Sequence, residues 1–247
     1  MTDTHAHYDD PAFDPDRDSV TDRALSVCRY IINAGISVPR SQSSLTLAQK
    51  YDRIYAAVGI HPQYDGDISA IEGLLSEDKV VAVGEIGLDY RNADAAEKDR
   101  QRELFTAQLE LSKKYTLPVI IHCVDAWGDM LGILKSIPVH GVLHGFTGSA
   151  ETARELVDMG LYIGFGGRAT YPGAKRAVRA LADVPDDRIL FETDAPYAAP
   201  YNYRGQRCEG YMLADTVAFA AKVRGVTPER LSALSDENAS ALFGINV

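Results

Sequence analysis

The sequence predicts an α/β fold, a single (β/α)8 barrel over residues 1–247 with a metal site at the C-terminal face of its strands. Three observations carry this. The chain has 247 residues, the size of one such barrel. Short apolar runs alternate with segments of helical character from end to end, and helical crossovers require parallel strands. Imidazoles and carboxylates stand where those runs end, the face on which barrels build active sites. An open doubly wound sheet is the alternative, but no Gly-x-Gly-x-x-Gly follows the first strand to support it.

The first strand is short and runs through Asp3-Thr4-His5-Ala6-His7, where alternation puts Asp3, His5 and His7 on one face. An Asp- and Pro-rich loop, 9–18, precedes a helix over 19–27 capped by Asp18 or Ser19. The second strand occupies 29–33. Pro39 marks a loop before a helix over 43–50. The third strand, 54–59, delivers His61-Pro62.

A helix over 68–76 leads to the fourth strand, 80–85, a β-branched run that reads as buried on both faces. It ends at Glu85. A carboxylate there is costly unless something positive meets it. Few Lys or Arg are near in sequence, so Glu85 reads as the centre of a metal site.

A helix over 93–115, with Leu104 and Leu111 at helical spacing, leads to the fifth strand, 118–121, which ends at His122. After a helix over 126–135 the sixth strand, 141–143, ends at His144. A helix over 150–159 and the seventh strand, 161–165, follow. A helix over 175–181 returns to the eighth strand, 188–192, which delivers Asp194. The loop 198–210 carries Arg204 and Arg207 and precedes helices over 213–222, 228–234 and 237–242.

Net charge is −10, which favours solubility and does not suggest a protein that coats nucleic acid. It leaves room for a nucleic-acid enzyme whose bound metals supply local positive charge. Cys28, Cys123 and Cys208 are odd in number and far apart, so reduced thiols and a cytoplasmic setting are expected. Cys123 should point away from His122 and reads as packing. No apolar run is long enough to span a bilayer, and no membrane partner is expected.

Six candidate ligands share the predicted face: His5, His7, Glu85, His122, His144 and Asp194. One histidine at a strand end is commonly a satisfied core residue, and His-x-His alone is a weak signal. Six such groups at one face need another explanation. Imidazoles with carboxylates bind zinc, manganese or iron, and one open catalytic zinc usually keeps three protein ligands. Six suit two divalent ions bridged by a carboxylate. His61 lies on the same face and reads as a contact to the substrate phosphate or to the ligands. Asp89 and Asp125 are further candidates of that kind. His140 begins the sixth strand at the opposite face and is assigned no function.

The chain resembles the TatD family of metal-dependent deoxyribonucleases, within the amidohydrolase-like metal-dependent hydrolases. The matching pieces are Asp3-Thr4-His5-Ala6-His7, Gly59-Ile60-His61-Pro62, Gly84 to Tyr90, His122 with Asp125-Ala126, His144 to Gly148, and Glu192 to Tyr197. Glu237-Asn238-Ala239 and Leu242-Phe243-Gly244 fit too. The resemblance implies a TIM-like barrel, two divalent metals (Mg, Mn or Zn) and phosphodiester hydrolysis, often as a 3′–5′ exonuclease on DNA. It carries the ligand role to the six residues, with Glu85 as bridge. His122 and His144 complete one site; His5, His7 and Asp194 complete the other. Cys123-Val124 stands where Ser-Arg is common, so a substrate-contacting arginine is missing there. Cys208 and Gly210 replace a common Asn and Pro.

The expected mechanism is attack by a metal-activated hydroxide, with Asp194 as general base. Glu85 and His61 complete the catalytic group. His61, Arg204 and Arg207 are the expected phosphate contacts. The working form is expected to be a monomer or weak homo-oligomer. Two rivals are a metal-dependent amidohydrolase acting on a small amide or ester, and a non-catalytic binding protein.

Overall fold

A computed structural model describes residues 1–245; the last two residues of the predicted 1–247 unit lie outside the described residues. Among the described residues, eight parallel strands pair in sequence order: β1 (Thr2–Ala6), β2 (Tyr30–Ala34), β3 (Ile54–Val58), β4 (Val80–Asp89), β5 (Val119–Val124), β6 (Gly141–Leu143), β7 (Tyr162–Phe165) and β8 (Ile189–Phe191). Helices α1 (Arg17–Val27), α2 (Val38–Lys50), α3 (Ile68–Glu72), α4 (Ala95–Tyr115), α5 (Trp127–Ser136), α6 (Ala150–Asp158) and α7 (Lys175–Asp183) cross between them. Helices α8 (Leu213–Arg224) and α9 (Pro228–Phe243) follow β8. The seam from β8 back to β1 is bridged by hydrogen bonds, among them three to backbone carbonyls. Thr4 Oγ1 donates to Phe191 O at 3.0 Å, Asp194 N–H to His5 O at 2.9 Å, and His7 N–H to Ala195 O at 2.7 Å. The sheet is thereby a nearly closed barrel.

Alternation divides the apolar residues in two. Ile32, Ala57, Ala82, Ile120, Val142 and Leu190 form one cluster with Ala239, Leu242 and Phe243 of α9. This is the barrel interior, with α9 packed across its N-terminal mouth. Ile31, Val58, Ile121, Leu143, Ile163 and Ile189 belong to the larger cluster between sheet and helices. His122, His144 and Glu192 each stand two residues beyond an interior residue, so they point inward at the C-terminal mouth.

Several boundaries differ from the sequence expectation. Helix α2 starts at Val38 because Ser37 caps it, and Pro39 sits in the first turn, where no intrahelical N–H is needed. Helix α1 starts at Arg17, ahead of the predicted caps Asp18 and Ser19. The predicted helices 228–234 and 237–242 are one helix, capped by Thr227 and ended by Gly244 at φ 66°; no Gly or Pro interrupts it between. Strand β4 runs four residues past Glu85, because Gly87, Leu88 and Asp89 pair with His122, Cys123 and Val124 of β5.

Candidate metal centre

Glu85 reaches the mouth through an irregularity. Strict alternation would put it on the outer face with Val83. The pairing of β4 with β5 shifts between Val83 and Ile86, and such an extra residue reverses parity. Val83, Ile86 and Leu88 accordingly all pack in the outer core, whereas Glu85 and Asp89 meet the histidines at the mouth. Gly87 adopts φ 142° against the His122 carbonyl, where a side chain would collide.

The two oxygens of Glu85 face different partners. Oε2 lies 3.4 Å from His5 Nε2 and 3.6 Å from His7 Nε2. Oε1 lies 2.8 Å from His144 Nε2, 2.9 Å from His122 Nδ1 and 3.7 Å from His61 Nε2. Asp194 Oδ1 stands 3.5 Å from His7 Nε2 and 3.8 Å from His5 Nε2. Ring nitrogens also meet each other, His5 and His7 at 3.1 Å and His122 and His144 at 3.3 Å. Three donor triads result: His5–Glu85–His144, His5–His7–Asp194 and His61–Glu85–His122. His5 thus stands within reach of His144 as well as of His7 and Asp194.

Outer contacts orient these rings. His7 Nδ1 donates to Ala34 O at 2.8 Å, which leaves the Nε2 lone pair toward the cage. His122 Nε2 meets Asp89 Oδ2 at 3.2 Å, leaving Nδ1 inward. Behind His144, Glu192 Oε1 lies 3.4 Å from Nδ1 and also accepts the Gly145 N–H. Gly164 makes room for that carboxylate: a Cβ there would sit 2.7 Å from Glu192 Oε2. His61 is turned the other way. Its Nδ1 accepts the Gln63 N–H at 3.2 Å, so in the neutral ring the proton sits on Nε2 and points at Glu85.

Burial and charge compete here. Burial alone would raise the Glu85 carboxyl; His144, His61, His5 and His122 overcome it and hold it well below the usual range. Burial opposes a charged His7, yet Asp194 and Glu85 raise it to about 9. His144 is likewise raised against burial, by Glu85 and Glu192, and Asp194 is lowered against burial by His7 and His5. Burial lowers His5, with His144 adding to it, and lowers His61 to about 4. Imidazolium protons thus stabilise the buried carboxylates. A cation between the converging lone pairs does the same without a proton, so the donor set fits divalent metal.

The other predicted residues fall as follows. Asp89 supports His122 and is bound by Arg91 and Gln63. Asp125 is exposed, at φ 53°. Arg207, an expected phosphate contact, binds Asp16 at 2.8 Å and Glu209 at 2.8 Å and lies over Phe13, which ties the loop to the protein. Arg204 is exposed in that loop. Cys123 is buried on the outer face, its thiol pushed up to about 12 by burial. His140 is exposed at the opposite mouth.

Glu192 was missed as a support, although its place two residues before Asp194 signals a shared face. Arg91 and Arg168 were missed as well. They line a cleft of about 200 Å³ that adjoins the cage through His122, His144 and Asp194. The larger surface depression, about 880 Å³ beside α1 and α2, holds no cage residue.

A parallel barrel with imidazoles and carboxylates converging at its C-terminal mouth defines the class as a TIM-barrel metal-dependent hydrolase. Within that class the chain belongs to the family described as TatD related DNase, which it matches over residues 2–244. The Bacillus subtilis "uncharacterized metal-dependent hydrolase YabD" is 39% identical, with 100% of each chain covered. The Klebsiella pneumoniae "3'-5' ssDNA/RNA exonuclease TatD" is 35% identical, covering 100% of this chain and 99% of its own. The crystal structure of the TatD homologue YjjV from Escherichia coli superposes with a TM-score of 0.93 at 33% identity, covering 100% of this chain and 98% of that one.

Proposed function

We propose that the chain hydrolyses phosphodiesters as a two-metal 3′–5′ exonuclease, with DNA as substrate. The observation that carries this is the division of Glu85: one oxygen serves His5 and His7, the other His122 and His144. That is the donor pattern of a bridging carboxylate. Bound divalent cations supply Lewis acidity, lowering the pKa of water and neutralising phosphate charge.

The chain's own residues do the rest. Asp194, kept ionised by His7, takes the proton of the attacking water as general base. His61, neutral at pH 7, faces Glu85 Oε1 with its Nε2 proton and so helps orient that carboxylate. Arg168 holds flanking phosphate, with Arg91 beside it, half exposed although bound to Asp89. All six ligands come from one chain, which supports a monomer as the working unit. Three unpaired cysteines support a reducing, cytoplasmic setting, and no described helix is long and apolar enough to cross a membrane.

The test is hydrolysis of 3′-labelled single-stranded DNA by chelator-stripped protein with magnesium, manganese or zinc added back singly. Metal-dependent loss of 3′ nucleotides, absent in Glu85→Ala, is the expected result. No cleavage with any metal, despite two metals bound per chain, overturns the proposal and points to amides and esters.

A further inference from the structure

Two exposed tyrosines stand against the cage. The Tyr64 ring lies 6.1 Å from the His61 ring at 72°, and the Tyr197 ring 6.1 Å from the His7 ring at 65°. They remain 43% and 50% exposed, although both belong to short loops held on each side. Tyr197 O–H donates to Asp10 Oδ2 at 2.8 Å, and its N–H donates to Asp194 O at 2.8 Å. Asp10 is in turn held by the Ala12 N–H at 2.8 Å and by Arg40 at 3.3 Å. Tyr64 N–H donates to His61 O at 2.9 Å, and Tyr64 O accepts from Arg100 at 3.1 Å. The other exposed tyrosines are different: Tyr201 packs on Tyr171 and Tyr211 on Tyr203, away from the cage.

A cleft beside the cage has the complementary chemistry. The cleft with Arg91 and Arg168 is built from the ends of β4 to β8, and neither Tyr64 nor Tyr197 lines it. The tyrosines follow β3 and β8 and border His61 and His7 instead. A nucleotide at the cage would therefore have guanidinium groups and aromatic rings within its surroundings. Cationic grooves combined with exposed aromatic rings are how proteins hold single-stranded nucleic acid, because every base has a stackable face.

We infer that Tyr64 and Tyr197 form a stacking platform for the terminal nucleobase, so that the enzyme requires an end that carries a base. The inference rests on the exonuclease reading above. It makes the site tolerant of base identity and intolerant of a missing base.

The experiment uses metal-loaded enzyme and single-stranded oligonucleotides of one sequence. These end in a normal 3′ nucleoside or in an abasic tetrahydrofuran residue. Binding of a 3′-terminal 2-aminopurine strand, whose fluorescence falls on stacking, is followed separately in chelator so that turnover plays no part. Wild type should quench the 2-aminopurine and show a KM about tenfold higher for the abasic end. Tyr64→Ala and Tyr197→Ala should reduce the quenching and raise KM for the normal end by a similar factor, with kcat changed less. Tyr64→Phe and Tyr197→Phe keep the rings and should behave as wild type, which separates stacking from the Tyr197–Asp10 bond. Equal cleavage of both ends by wild type, or alanine variants that bind and cut normally, overturns the platform and leaves the exonuclease reading intact. No cleavage of any oligonucleotide with any metal overturns both.

Discussion

His140 and His144 stand four residues apart at opposite ends of β6 and share nothing but their chemistry. His140 is exposed, in a shallow depression beside Ser112 and Lys113. His144 is buried, stacked on His5 at 3.9 Å, 2.8 Å from Glu85 and backed by Glu192. The two mouths of the barrel differ in the same way. α9 closes the N-terminal mouth with apolar side chains; the C-terminal mouth buries carboxylates among imidazoles. Residue type alone does not mark a site. Burial of opposite charges together does, because desolvation is tolerated only where partners or a metal offset it.

The largest expected effect breaks the comparison most directly. Glu85→Ala should lower kcat on the order of a thousandfold or more, whereas His140→Ala should stay within about twofold. Chelator should lower the Tm of wild type and leave that of Glu85→Ala nearly unchanged, since only a protein that binds metal is stabilised by it. A comparable loss in His140→Ala would show that both mouths contribute.

The outer carboxylates sharpen the contrast. Asp89→Asn and Glu192→Gln remove the partners behind His122 and His144, and each should weaken metal binding about 10–100-fold by titration calorimetry. Unchanged affinity would mean that these groups only pack.

The raised pKa values make metal uptake a proton exchange. His7, near 9, and His144, raised against burial, hold protons at pH 7 in the metal-free protein. Metal must displace them, so affinity should rise from pH 6 toward 9 and uptake should release protons. Calorimetry in buffers of different ionisation enthalpy measures the release; none at pH 7 would contradict it.

The smallest effect concerns Asp3, buried beneath the cage and bonded to Thr193. Burial raises its pKa from 3.8 to about 7, against the bonds from Thr193. Its contribution to stability is therefore fully present below pH 3.8 and lost as pH rises through about 7. In chelated protein, Asp3→Asn should reduce the fall in Tm between pH 5 and 8 by several degrees. An identical fall in both proteins would assign it to the histidines.

The order of the eight strands, and the outward–inward parity that sends His122, His144 and Glu192 to one mouth, were decided by the sequence itself. Hydrophobic alternation is local, and each strand carries its own. Helix starts were legible less well: Pro39 reads as a breaker in isolation, and only Ser37 as a cap makes it a first-turn residue. Glu85 is where local reasoning fails. Its parity depends on the register shift against β5, which lies more than thirty residues further along the chain. The same holds for Arg207, which the loop sequence offers to substrate and Asp16 and Glu209 claim for the fold. Which groups stand at strand ends was written in the sequence. Which of them meet, and which are already spoken for, was decided by tertiary contacts, because pairing register and ion-pair competition are properties of two segments at once.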